Sequence, residues 1–276
     1  MLLADDLETT RIRTPWVTWG LMAVCTAIYL LQLSQPAVED ALALWPQEWR
    51  DGWRQPTQWQ HLFGYMWLHG GWLHLAGNLL VLWVFGDNIE DALGHARMLL
   101  LYVLAGLAGG ALHAVLGADP KTPLVGASGA IAGIMAAYLL LYPRAKLFVL
   151  AFARAPVLVP AGWFVAAWFA TNAFEALTGG HGGEADVAWW AHIGGFLVGL
   201  ALVGPLCQPG VALFQPAVVH PSPRFGWLRR VSFDFAPEAV PHAPGASGGH
   251  GWWDPQLAAI GKAAIFVLLM ILGAWF

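Results

Sequence analysis

Charge is what this chain has least of. Only 11% of its 276 residues are charged, against 58% hydrophobic, and the mean hydropathy is +0.58. A soluble domain carries about 25% charged residues, so a water-soluble globule is excluded and the chain reads as a polytopic membrane protein in a lipid bilayer. The net charge of −4 gives no basic footprint, and no nucleic-acid partner is expected. Cysteine is scarce too. Cys25 and Cys207 lie in or beside apolar runs, which fits neither a disulfide framework nor a zinc site. There is no H-E-x-x-H string, which excludes a zinc protease, and no pair of aspartates within the spans, which excludes an aspartyl one. No repeat relates the two halves, as a transporter would show. Tryptophan is abundant: 17 are present, several near the ends of apolar runs, where membrane–water interfaces hold them.

The apolar runs predict an all-α chain of seven spans. Residues 1–15 read as a polar cytoplasmic tail. The first span covers Trp16 to Leu33, without a charge. The acidic start and the missing small-x-small cleavage site speak against a signal peptide. Residues 34–71 form a long connection whose tryptophans place it in the interface. A second span, Trp72 to Phe85, is followed by a short acidic loop with Asp87, Glu90 and Asp91. The third is Met98 to Leu116. The fourth is the apolar run Val125 to Leu141, with Ser128 near its start. A basic loop with Arg144, Lys146 and Arg154 precedes the fifth, Val157 to Leu177. An acidic Gly-rich loop, Gly179 to Asp186, precedes the sixth, Val187 to Leu206. Residues 207–256 are a Pro/Gly/His-rich linker, and residues 257–276 form a seventh span with Lys262 near its start.

Basic residues set the orientation. With the N-terminus in the cytoplasm, nine Lys and Arg fall inside and three outside, Lys262 aside. The second, fourth and sixth spans then all start from the outer face. That brings His74 and Asn78, Ser128, and His192 into one layer near that face.

Polar groups inside a bilayer are costly and functional by default. His74 and Asn78 are four apart and share a helix face. His192 is the ionisable residue within the sixth span. Together these point to acyl transfer, with Ser128 attacking a peptide carbonyl and His192 as general base, then general acid. The oxyanion candidates are the Asn78 amide, an N–H of His74 and the backbone N–H of Ser128. A helix starting at Ser128 adds free N–H groups and partial positive charge. With no Asp or Glu in the spans near these residues, a Ser–His dyad is the economical arrangement, its imidazole oriented by packing and aromatic neighbours. Gly129 and Gly133 on the fourth span, and Gly195 and Gly199 on the sixth, form small-xxx-small faces that let two backbones approach closely. A Ser–His hydrogen bond between helices requires that approach.

At these residues the sequence resembles the rhomboid family of intramembrane serine proteases. The motifs are Gly126-Ala127-Ser128-Gly129, His69-Gly70-Gly71-Trp72-Leu73-His74-Leu75-Ala76-Gly77-Asn78, Ala191-His192-Ile193-Gly194-Gly195, and Phe85-Gly86 followed by Glu90 and Gly94. The resemblance covers residues 16–206. It implies a rhomboid-like six-helix bundle as catalytic core, plus one additional C-terminal transmembrane helix. It implies Ser128 as nucleophile, His192 as base, and His74 with Asn78 at the oxyanion site. It further implies no cofactor, a single-pass transmembrane protein substrate cut near its extracytoplasmic boundary, and a bacterial inner membrane as location. His69 would sit at a loop–helix junction and shape the loop. The sequence departs from the family at two places. Gln60-His61 stands where many members have Trp-Arg in the first loop. Ala132 stands where some have a tyrosine stacked on the histidine, which leaves that task to an aromatic such as Trp189 or Trp190. The alternative reading is a non-catalytic rhomboid-fold protein that binds transmembrane helices; loss of Ser128 or His192 would have marked it, and both are present.

The tetrapeptide alone carries little. Gly245-Ala246-Ser247-Gly248 repeats it in the linker with no span around it, so Ser247 is expected to be inert. His242 and His250 nearby read as solvated linker, His113 as structural, and His61 and His95 as loop residues.

Overall fold

The computed structural model describes residues 2–117, 119–151, 155–178, 188–216 and 233–234. The expected seventh span, Ser247, His242, His250 and most of the linker lie outside them, as do Arg154 and the loop 179–187.

A short strand β1 (Leu2–Asp5) precedes α1 (Trp16–Ser34), and three short helices follow: α2 (Ala37–Leu42), α3 (Pro46–Gly52) and α4 (Pro56–Gly64). Proline opens α3 and α4 in their first turn, where its missing N–H has no helical partner to lose. A single 3₁₀ turn, Tyr65–Trp67, leads to α5 (Trp72–Leu93), α6 (His95–Leu116) and α7 (Ser128–Leu141). Strands β2 (Lys146–Ala151) and β3 (Ala155–Pro160) then precede α8 (Ala161–Thr178), α9 (Trp189–Leu206) and β4 (Phe233–Asp234). Helices α1, α6 and α9 are long and apolar enough to cross a membrane. The α4 segment with its 3₁₀ turn and α5 make a further candidate, bent by 81°. The chain is thus a predominantly helical, polytopic membrane protein. Helix α7 lies at its centre, packed by α5, α6, α8 and α9 and buried along almost its whole length.

The fold differs from the all-α expectation on one side of the bundle. The segment before α1 contributes a strand, because β1 pairs antiparallel with β2, β2 pairs antiparallel with β3, and β3 pairs parallel with β4. The segment expected as a basic loop therefore contains β2, and the fifth helix begins at Ala161 rather than Val157. Leu147, Phe148, Val157, Leu158 and Val159 are buried. An apolar stretch of that length satisfies a strand as well as a helix start, and hydropathy cannot separate the two.

The expected acidic loop is also helical. α5 runs on to Leu93, and Asn88, Glu90 and Asp91 are buried. The start of α1 has no side-chain cap of its own at Pro15, so its first amides need acceptors. Glu90 supplies them, taking Val17 N–H at 2.9 Å, Thr18 N–H at 2.8 Å and the Thr18 hydroxyl at 2.7 Å. Asp91 Oδ1 accepts the backbone N–H groups of Thr10, Arg11 and Ile12 at 3.0, 2.5 and 2.8 Å. Asp5 Oδ2 accepts from Asn88 Nδ2 at 2.7 Å and from the Tyr138 hydroxyl at 2.6 Å. The Phe85-Gly86 motif acquires a reason here. A Cβ on Gly86 would lie 2.8 Å from Thr18 Cγ2, so glycine lets α1 close onto α5 within reach of Glu90. Gly94, at φ +82°, turns α5 into α6, a conformation glycine adopts without strain.

Candidate active site

Ser128 is the first residue of α7. The turn before it needs Gly126, whose φ is +127°. Gly126 N–H donates to Tyr65 O at 2.9 Å, and the Tyr65 hydroxyl donates to Gly106 O at 2.6 Å, so one buried tyrosine ties this turn to α6. Ser128 is half-buried. Its Oγ lies 2.8 Å from Nε2 of His192, which is buried one turn into α9.

Glycines allow this distance. A Cβ on Gly195 would collide with the Gly129 carbonyl, and one on Gly199 with the Gly133 carbonyl. From the other helix, a Cβ on Gly129 would meet Ala191 O at 3.2 Å, and one on Gly133 would meet Gly195 O at 3.0 Å. The two small-residue faces therefore meet each other. A third helix joins them without having been expected: a Cβ on Gly109 of α6 would lie 2.5 Å from Ala191 O.

His74 occupies the first turn of α5. Its Nδ1 accepts Gly70 N–H at 3.3 Å, which leaves the ring proton on Nε2. A Cβ on Gly126 would lie 2.7 Å from His74 Nε2 and 3.8 Å from Ser128 Oγ. Gly126 is thus the gap through which the His74 N–H faces the serine. Asn78 sits one turn further along α5, buried, and its Nδ2 has no hydrogen-bond partner among the described residues. A buried amide with an unmade bond costs free energy unless something fills it. His69 lies where the 3₁₀ turn meets α5. Its N–H donates to Gln32 Oε1 at 3.0 Å, and Gln32 Nε2 donates to its carbonyl at 3.3 Å, which pins that loop to α1.

Three further residues meet His192. Its Nδ1 lies 2.5 Å from Asn172 Oδ1, and Asn172 Nδ2 donates to Trp168 O at 2.7 Å. Trp168 sits 5.5 Å from the imidazole at an interplanar angle of 39°, and Trp189 sits 6.1 Å away, edge-on. Trp189 was anticipated; Trp168 and Asn172 were not. The signal for Asn172 was present, since an amide in the apolar run Val157 to Leu177 deserves the same suspicion as Asn78. The same run also holds Glu175, buried on α8, so the spans do contain a carboxylate close to this layer. In the first loop, where Gln60-His61 replaces Trp-Arg, Arg50 of α3 supplies a tie. It donates from Nε to Ala114 O at 2.6 Å and from Nη2 to Gly117 O at 2.9 Å, satisfying carbonyls at the end of α6. His61 lies within α4, and His95 opens α6 in contact with Glu90.

A hydroxyl hydrogen-bonded to a buried imidazole, with donors converging beside it, is an arrangement for acyl transfer. A family profile described as Rhomboid domain matches residues 56–209. The chain belongs to the rhomboid family. Among its relatives is RHOMBOID-like protein 5 of Arabidopsis thaliana, 38% identical over 78 residues, 28% of this chain and 25% of that protein. Rhomboid protein 1, mitochondrial, of Saccharomyces cerevisiae is 30% identical over 175 residues, 54% of this chain and 47% of that one. Rhomboid protease GlpG of Serratia proteamaculans is 26% identical over 201 residues, 71% of this chain and 64% of that one. The chain spans about a quarter to a half of the length of the first relatives it matches. Mitochondrial names among them mean that family membership places this rhomboid in a membrane without singling out a bacterial one.

Proposed function

We propose that this rhomboid is an intramembrane serine endopeptidase that cuts transmembrane segments of single-pass proteins near their extracytoplasmic boundary. The observation that carries the reading is the 2.8 Å contact between Ser128 Oγ and His192 Nε2. As Oγ bonds to the substrate carbonyl carbon, its proton passes to His192 Nε2. The oxyanion is met by the Nε2–H of His74, the Nδ2–H of Asn78 and the backbone N–H of Ser128. The C–N bond then breaks, and His192 returns the proton to the leaving amine. Water attacks the acyl-enzyme with His192 again as base, releasing the carboxylic acid and restoring Ser128.

Depth agrees with this reading. α7 has 14 residues, about 21 Å at a rise of about 1.5 Å per residue. With its C-terminal end at the cytoplasmic boundary of a hydrocarbon core about 30 Å thick, its serine lies about 9 Å inside the opposite boundary. The seventh span over residues 257–276, the linker before it and a bacterial inner membrane as location belong to the same proposal.

The test is incubation of the purified full chain, in detergent and in liposomes, with a panel of single-pass membrane segments. The wild type is expected to cleave at least one. Ser128→Ala is expected to abolish cleavage, and Ser247→Ala to leave it unchanged. Cleavage that survives Ser128→Ala refutes the mechanism. Binding of the segments without cleavage by the wild type would favour the non-catalytic reading.

A further inference from the structure

We infer that Asn172 is a positioning residue that sets the tautomer of His192, so that Ser128, His192 and Asn172 form a relay across α7, α9 and α8. The inference rests on the proteolytic reading above.

A carboxamide can face either way, and its second hydrogen bond decides which. The group 2.7 Å from the far end of Asn172 is the Trp168 carbonyl, and a carbonyl oxygen only accepts. The amide nitrogen must therefore lie on that side, which turns Oδ1 toward His192. Oδ1 in turn only accepts, and it lies 2.5 Å from Nδ1. Nδ1 must carry the hydrogen. A neutral imidazole has a single N–H, so Nε2 presents a bare lone pair to Ser128 Oγ at 2.8 Å. That is the form a general base requires. The opposite tautomer would set two lone pairs against each other between Nδ1 and Oδ1, in a buried place where the low local dielectric strengthens the repulsion.

One helical turn makes the whole device. Trp168 and Asn172 are four apart on α8 and so share a face. The Trp168 backbone orients the amide, and its indole lies 5.5 Å from the imidazole. When His192 becomes protonated in the attack, Nδ1–H already has its acceptor, so the ring need not turn. The partner is an amide, which orients the ring and stabilises its charge through a dipole only. Its removal is therefore expected to cost less than removal of a carboxylate from a serine protease triad.

The experiment uses the full chain, with Asn172→Leu to remove the acceptor and Asn172→Asp, whose protonated carboxyl keeps an acceptor toward Nδ1 and a donor toward the Trp168 carbonyl. The Leu variant is expected to lose about 10–100-fold in kcat with KM changed less than about threefold, and the Asp variant to recover most of the loss. Nitrogen-15 NMR of labelled histidines, with His192 assigned by comparison with His192→Gln, reads the tautomer directly. The wild type is expected to show a protonated Nδ1 and a bare Nε2, and the Leu variant a shift toward Nε2–H. Wild-type kcat in the Leu variant overturns the inference, as does a wild-type spectrum with Nε2 protonated. A loss that follows thermal stability, with no recovery in the Asp variant, also overturns it. If the wild type cleaves no substrate, the proteolytic reading fails alone and the spectrum still decides the role of Asn172.

Discussion

Substituting Gly195 by alanine tests whether helix spacing sets the reaction. The added methyl would overlap the Gly129 carbonyl. That carbonyl is helix backbone, and no flexible side chain can yield in its place. Close-packed interiors do not absorb such an overlap, so α7 and α9 must part by on the order of 1 Å. Ser128 and His192 ride on those two helices, and their 2.8 Å contact would lengthen by a similar amount. A misplacement of that size costs about 100-fold in rate, and overpacking costs about 1–3 kcal/mol in stability. Gly204 on the same helix is the control, since a Cβ there meets nothing within 4 Å. Gly204→Ala should keep full activity and gain up to about 1 kcal/mol from helix propensity. Gly129→Ala, with its nearest contacts at 3.2 Å, should fall between the two. Cleavage rates in liposomes, with melting temperatures for all three, give the answer. Wild-type rate and melting in Gly195→Ala would refute the claim that this spacing is needed.

Two further outcomes follow from single groups. Asn78→Ala should lower kcat by about 100–1,000-fold, the loss measured for one oxyanion donor. Stability should hardly change, because Asn78 Nδ2 gives up no bond in the resting protein; a large loss of melting temperature with an unchanged rate would count against its oxyanion role. Asp5 tests the strand side, where burial raises its carboxyl well above the usual range, with Asp87 and Asp6 adding to the rise. A raised pKa means that the folded state holds the proton longer than the unfolded one, so docking of residues 2–12 weakens as pH climbs past about 4 toward the folded value. Hydrogen exchange over that segment should accelerate with pH beyond its intrinsic dependence in the wild type and lose that excess in Asp5→Asn; equal excess in both would refute it.

The polar layer was legible because bilayer economics make each of its members conspicuous. A histidine or asparagine within an apolar span has few structural excuses, and the shared starting face of three spans brings His74, Asn78, Ser128 and His192 together by counting alone. The glycine pairs were legible for a related reason, since a small-xxx-small spacing states its own geometry. Asn172 and Trp168 were less legible, because an amide is a less conspicuous third group than a carboxylate and neither residue neighbours His192 in sequence. The partners came instead from α8, and only packing reveals which face α8 turns inward. The sheet failed for a different reason. Leu147 to Leu150 and Val157 to Val159 are apolar runs too short for periodicity to act, and the partner that completes them, Leu2 to Asp5, is more than 140 residues away in the chain.

The acidic residues at the end of α5 were misread because charge was equated with solvent. Asp87 to Asp91 looked like a loop, yet Glu90 and Asp91 are the acceptors for amides of α1 and of the segment before it. α5 presents His74 and Asn78 in its first two turns and Glu90 and Asp91 in its last. It is 22 residues long, about 33 Å from end to end. The carboxylates hold α1 and the N-terminal segment to one end, and Gln32 near the far end of α1 holds the His69 loop at the other. The oxyanion candidates thus stand on a helix braced at both ends by polar contacts with α1 and the segment before it. Catalytic groups must be positioned to within a fraction of an ångström. Along the same pair the close contact of Thr18 on Gly86 adds to the two polar clamps in fixing the register of α1 on α5.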